Sequence, residues 1–117
     1  MEFKNFVGID ISKGTFDLAL IKNNDAENII SAIFSNKPEG IVKLEEFLKK
    51  NGIAKQETIF CMEHTGIYCR FLSLYLTENQ YNVWLEMPVQ IIKSLGIQRG
   101  KNDKIDARRI AQYAHLK

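Results

Sequence analysis

The chain has 117 residues, 45% hydrophobic and 26% charged, which suits one globular domain, is short for two, and excludes a disordered chain. No apolar run approaches the ~18 residues of a membrane span, and the opening MEFKNF lacks the apolar region of a signal peptide, so a cytoplasmic location without a membrane partner is expected. The net charge of +2 is unevenly spread: residues 1–92 carry 9 Lys/Arg against 12 Asp/Glu, and residues 93–117 carry 7 against 2, which points to a polyanionic partner or to a solvated helix face.

The first element is Phe6 to Ser12, FVGIDIS, an apolar, β-branched run that predicts a strand covered on both faces. Asp10 lies in its middle, where an uncompensated carboxylate would cost about several kcal/mol or be driven to its neutral form. Lys13-Gly14 makes a turn, Thr15 to Lys22 a second strand, Asn23-Asn24-Asp25 another turn, and Asn28 to Ser35 a third strand. Short connections make these three an antiparallel meander.

Pro38 opens a helix with Ile41, Leu44, Phe47 and Leu48 on one face, and Asn51-Gly52 ends it. Thr58 to Met62 is a fourth strand, running into Glu63-His64-Thr65-Gly66. Thr65 is a candidate cap for the next helix, whose core face is read as Tyr68, Phe71, Leu72, Tyr75 and Leu76. Asn82 to Glu86 is a fifth strand, Val89 to Leu95 a short helical pattern, and Asp103 to the chain end a last helix. An antiparallel meander followed by helical crossovers gives an α/β mixed five-stranded sheet, the ribonuclease H-like layout. That layout serves nucleases, transposases and sugar kinases alike, so the site has to decide.

Four acids carry the candidate chemistry: Asp10, Glu63, Asp103 and Asp106. Asp103 and Asp106, spaced i and i+3, are expected on one face of a helical first turn, and Glu63 is expected beside Asp10 if the first and fourth strands are neighbours. Four carboxylates converging on one point require cations, and an all-oxygen ligand set favours Mg²⁺ or Mn²⁺. A pair of such ions can activate an attacking oxygen and stabilise a departing one in phosphoryl transfer. The plainer alternative is that Asp103, Asp106 and Glu63 merely cap helices and complement their dipoles; Asp10 has no such routine task. Asp17 reads as solvent-facing or as a neighbour of the acids. Cys61, His64 and Cys69 lack a zinc spacing, and the two cysteines are expected to be reduced. Trp84 reads as core. Arg99, Lys101, Lys104, Arg108 and Arg109 flank the last two acids, a setting suited to nucleic-acid phosphates.

Gly8-Ile9-Asp10-Ile11-Ser12-Lys13 with Phe16-Asp17, then Glu63-His64-Thr65-Gly66-Ile67-Tyr68, then Lys101-Asn102-Asp103-Lys104-Ile105-Asp106-Ala107 resemble the RuvC-like N-terminal domain of the DEDD transposases. These are the insertion-sequence transposases related to the Piv/MooV DNA invertases. The resemblance covers almost the whole chain. It implies that Asp10, Glu63, Asp103 and Asp106 are catalytic metal ligands; Lys13 of the first motif is counted with Arg99, Lys101, Lys104, Arg108 and Arg109 as a candidate nucleic-acid contact. Two departures are visible: the third motif reads KND where the family usually has KTD, and Met87 replaces the usual asparagine before Pro88. Neither alters an acid.

The resemblance further implies a second, serine-bearing domain, absent from this sequence, with residues 1–117 forming the RuvC-like metal-binding domain. A homo-oligomer and an element-encoded guide RNA are likewise implied partners beside DNA. The reading is thus the N-terminal catalytic domain of a DNA transposase or site-specific recombinase. Alternatives are a RuvC-type Holliday-junction nuclease using the same acids with water, a sugar-kinase-like ATP-binding half, and a non-catalytic nucleic-acid-binding or assembly module.

Overall fold

The computed structural model describes residues 2–64, 66–87, 90–91 and 106–116. Three strands, β1 (Asn5–Ile11), β2 (Thr15–Ile21) and β3 (Ile30–Ser35), form the expected antiparallel meander. They are followed by α1 (Pro38–Lys50), β4 (Thr58–Glu63), α2 (Ile67–Glu78) and β5 (Asn82–Glu86), and the last described helix is α3 (Ala107–Leu116). The sheet order is β3-β2-β1-β4-β5, with β4 parallel to both β1 and β5. This mixed five-stranded sheet, with the three α-helices given above, is compatible with the ribonuclease H-like fold. Among the described residues no helix is long and apolar enough to cross a membrane.

The position of β1 explains its composition. As the middle strand it is covered on both faces: Val7, Ile9 and Ile11 join the core built with α1 and α2, while Phe6 and its even-numbered neighbours face α3. Fully buried Ile9, Phe16, Leu44, Phe60, Leu72 and Ile110 are each worth about 1.5–3 kcal/mol relative to exposure. Gly8 lies directly beneath α3, where a Cβ would come within 2.3 Å of both Ala107 O and Ala111 N. Only a residue without a side chain lets the helix approach so closely.

Several boundaries differ from the sequence expectation. β3 starts at Ile30 rather than Asn28, because Asn28 donates its side-chain amide to Asp25 Oδ2 (2.8 Å) and closes the preceding turn instead of entering the ladder. Helix α1 behaves as expected, with Pro38 in its first turn and Asn51 at its C-cap, followed by Gly52 at φ +66°. Thr65, the candidate cap of α2, lies outside the described residues; the residue directly before the helix is Gly66, at φ +69°.

The core face of α2 is corrected. Cys69, Leu72 and Leu76 are buried, whereas Tyr68 and Phe71 are 40% and 42% exposed. The apolar residues run almost all the way round this helix, so period alone could not choose the buried side. Trp84 packs against the α3 core cluster, its ring 5.2 Å from that of Tyr113, as expected of a core aromatic. Most of the Val89–Leu95 helical pattern lies outside the described residues.

Candidate active site

The sheet register assembles acids along one line. Asp10 of β1 pairs directly with Asp17 of β2, and Glu63 of β4 pairs with Glu86 of β5. One step beyond the Ile9–Met62 pair, Asp10, the penultimate residue of β1, and Glu63, the last of β4, lie at the same level of adjacent parallel strands. Asp17, Asp10, Glu63 and Glu86 therefore form a row across β2, β1, β4 and β5, all half-buried and all on the face that carries α3. The row lies at the carboxyl ends of the parallel strands, the usual location of ligand sites in open α/β sheets.

The electrostatics follow from this crowding. Burial, and then the charge of Asp10, push the Glu63 carboxyl above its ordinary value. Cys61, two residues earlier on the same face, is fully buried, and burial together with the Glu86 charge raises its thiol to about 12. Glu86 is held in place: Tyr113 Oη donates to Glu86 Oε2 at 2.6 Å, and the Met87 backbone N–H donates to Oε1 at 2.9 Å. The backbone N–H of the exposed His64 donates to the Glu86 carbonyl at 2.9 Å, binding the ends of β4 and β5 together.

Helix α3 supplies the fifth acid. It begins at Ala107, and Asp106 is its N-cap: Asp106 Oδ1 accepts from Arg109 N at 3.0 Å, and the Asp106 carbonyl accepts from Ile110 N at 3.0 Å. The helix thus starts later than the expected Asp103, and Asp106 precedes its first turn instead of projecting from it. A cap needs an extended residue whose side chain folds back, which the sequence spacing alone could not distinguish from a helical acid. Asp103 itself lies outside the described residues, as do Arg99, Lys101 and Lys104.

Because Ala107 sits over Gly8, Asp106 enters the fold near the acidic row, and it borders a groove of about 490 Å³ together with Asp17, Ser31, Ile33 and Arg108. Lys13 is exposed in the β1–β2 turn, at the same end of the sheet. Arg108 is exposed, and Arg109 is half-buried with its Nη1 lacking a hydrogen-bond partner. Among the described residues no group of three His, Cys, Asp or Glu side chains converges closely enough to hold a metal ion. Adjacent strands lie about 4.8 Å apart, so a row of acids spreads along the sheet instead of converging on one point.

Sequence reasoning passed over Glu86. Its signal was that β4 and β5 both end in glutamate, which a parallel pairing brings to the same level. Cys61 and Cys69 are both free and buried, and they belong to different core clusters.

The chain matches the family DEDD_Tnp_IS110, described as transposase, over residues 7–117. It is 33% identical over 113 residues to the pilin gene-inverting proteins of Moraxella lacunata and Moraxella bovis, covering 94% of this chain and 34% of each relative. The chain therefore spans about a third of the length of these curated relatives.

Proposed function

This chain belongs to the IS110-type DEDD transposase family, and we propose that it forms the acidic, metal-binding part of a DNA transposase or site-specific recombinase. Asp10, Glu63, Asp103 and Asp106 are the proposed catalytic ligands of Mg²⁺ or Mn²⁺. The observation that carries this reading is the placement of Asp10 and Glu63 at the same level of neighbouring parallel strands, with burial and the Asp10 charge already holding a proton on Glu63 more tightly than normal. Two acids forced together in this way are stabilised by a shared cation.

The donor set fits a hard divalent ion, since it consists of carboxylate oxygens, and capping does not exhaust Asp106, whose carboxylate has about four lone-pair sites. A bound divalent ion would neutralise charge on the reacting phosphate and make an attacking oxygen more acidic. The chain's own groups would do the rest. The exposed Lys13 and Arg108, with Arg109, Arg99, Lys101 and Lys104, would hold backbone phosphates near the acids. Glu86, fixed by Tyr113, would keep the neighbouring end of β5 negative and ordered.

DNA is the proposed substrate. Two relatives are named for inverting a pilin gene, and rearrangement of DNA is carried over to this chain on that basis. A serine nucleophile from a further domain, a guide RNA and assembly into homo-oligomers belong to the same reading. Calorimetric titration of Mn²⁺ into the chain tests its foundation. Asp10→Asn or Glu63→Gln should weaken binding by at least about tenfold. Unchanged affinity in both variants, with the fold intact, would remove the metal from the account.

A further inference from the structure

The turn between β1 and β2 is gripped from outside by one residue. Asn36 lies between the end of β3 at Ser35 and the start of α1 at Pro38. Its backbone N–H donates to the Gly14 carbonyl at 2.9 Å, and its side-chain amide donates to the Ser12 carbonyl at 3.2 Å. Ser12 and Gly14 flank Lys13, so a single residue holds the backbone on both sides of that lysine. The same amide donates to the Tyr68 carbonyl of α2 at 3.2 Å. Within the turn, the Ser12 N–H donates to the Thr15 carbonyl at 2.9 Å, and the Ser12 hydroxyl donates to it at 3.0 Å. All this order surrounds an exposed side chain, and among the described residues Lys13 makes no ion pair.

Asn36 is ill suited to a purely stabilising task. Its amide hydrogens are spent on the Ser12 and Tyr68 carbonyls, while its Oδ1 is buried with no hydrogen-bond partner among the described residues. A buried acceptor left unpaired costs stability. Turning the amide over would only set Oδ1 against those two carbonyls, so its orientation is fixed. The corner that carries Asn36 is fixed as well: a Cβ on Gly40 would lie 1.7 Å from the Ser35 carbonyl oxygen, so the first turn of α1 rests directly on the end of β3.

Taking Lys13 as a phosphate contact, as in the function proposed above, we propose that Asn36 is the residue that positions it. Asn36 holds the turn so that the lysine is presented at the carboxyl end of β1, the end that carries Asp10, for one phosphate of a nucleic-acid backbone. A lysine is a point charge on a flexible stem, and anchoring its backbone removes part of the ordering cost at the moment of binding. Because the same amide holds Tyr68, the turn is also fixed relative to α2, the helix that follows Glu63 in the chain. Lys13 is thereby set against both strands that supply the central acids.

Fluorescence anisotropy of a labelled DNA duplex, titrated with the chain over a range of salt, reads both residues. Lys13→Ala should weaken binding by roughly three- to tenfold and lower the slope of log K against log salt by about one. Asn36→Ala removes no charge, yet it should lose most of the same slope, and the double variant should bind no more weakly than Lys13→Ala alone. By NMR relaxation, the backbone order parameter of Lys13 should fall from about 0.85 toward about 0.6 in Asn36→Ala. Circular dichroism checks that the variant is folded; should it not be, Asn36→Ser takes the same measurements. A parent chain without affinity for DNA overturns the phosphate contact and the positioning role together. A parent that binds, with Asn36→Ala keeping its slope or adding its loss to that of Lys13→Ala, overturns the positioning role alone. So does unchanged order at Lys13.

Discussion

A Cβ on Gly8 would lie 2.3 Å from the carbonyl oxygen of Ala107, so the middle strand and the first turn of α3 meet backbone to backbone. This contact is what brings Asp106 toward the end of β1 that carries Asp10. Gly8→Ala must push the helix away or bend the strand, at a cost of about 1–3 kcal/mol or more. Urea unfolding should show a lower midpoint at an unchanged slope. An unshifted midpoint would mean that α3 does not rest on Gly8.

Glu45 joins α1 to α2 and to the turn before β5. The hydroxyls of Tyr75 and Tyr81 both donate to its carboxylate, Tyr81 at 2.5 Å. Burial, followed by these bonds to Glu45, pushes the Tyr75 hydroxyl up to about 12 and that of Tyr81 higher still. Glu45→Ala strands both donors and should destabilise the chain by about 1–3 kcal/mol, measurable by thermal melting. Replacing both tyrosines by phenylalanine as well should recover part of that loss. A variant as stable as the parent would show that the shared carboxylate contributes nothing.

Glu63 gives the stability a pH dependence of definite sign. Its folded-state value is raised above the ordinary 4.5, so the folded chain binds this proton more tightly than the unfolded one. The resulting stabilisation is fully present below 4.5 and is lost as the pH climbs through the folded value. In EDTA, Glu63→Gln should flatten this part of the profile and make the chain more stable at neutral pH. Greater pH sensitivity in the variant would reverse the assignment.

The sheet was legible in the sequence because its signals are local. Apolar runs bounded by Lys13-Gly14 and Asn23-Asn24-Asp25 mark the meander, and Pro38 and Asn51-Gly52 bracket α1. The proximity of Asp10 and Glu63 followed once β1 and β4 were placed side by side. What escaped depends on tertiary placement. The buried side of α2 is chosen by the sheet beneath it, not by its own period, so the apolar pattern alone turns Tyr68 and Phe71 inward although both are exposed. Glu86 gains its place from the β4–β5 register, and Asp106 its capping role from the bond to Arg109 N. The reason for Gly8 becomes visible only with α3 laid across it.

Anomalous diffraction from crystals of the chain soaked in Mn²⁺ tests whether Asp10 and Glu63 share a metal ion. A manganese peak is expected between the carboxylates of Asp10 and Glu63, lost in Asp10→Asn. Soaked crystals with no peak there, or with manganese bound only elsewhere, would contradict a shared ion.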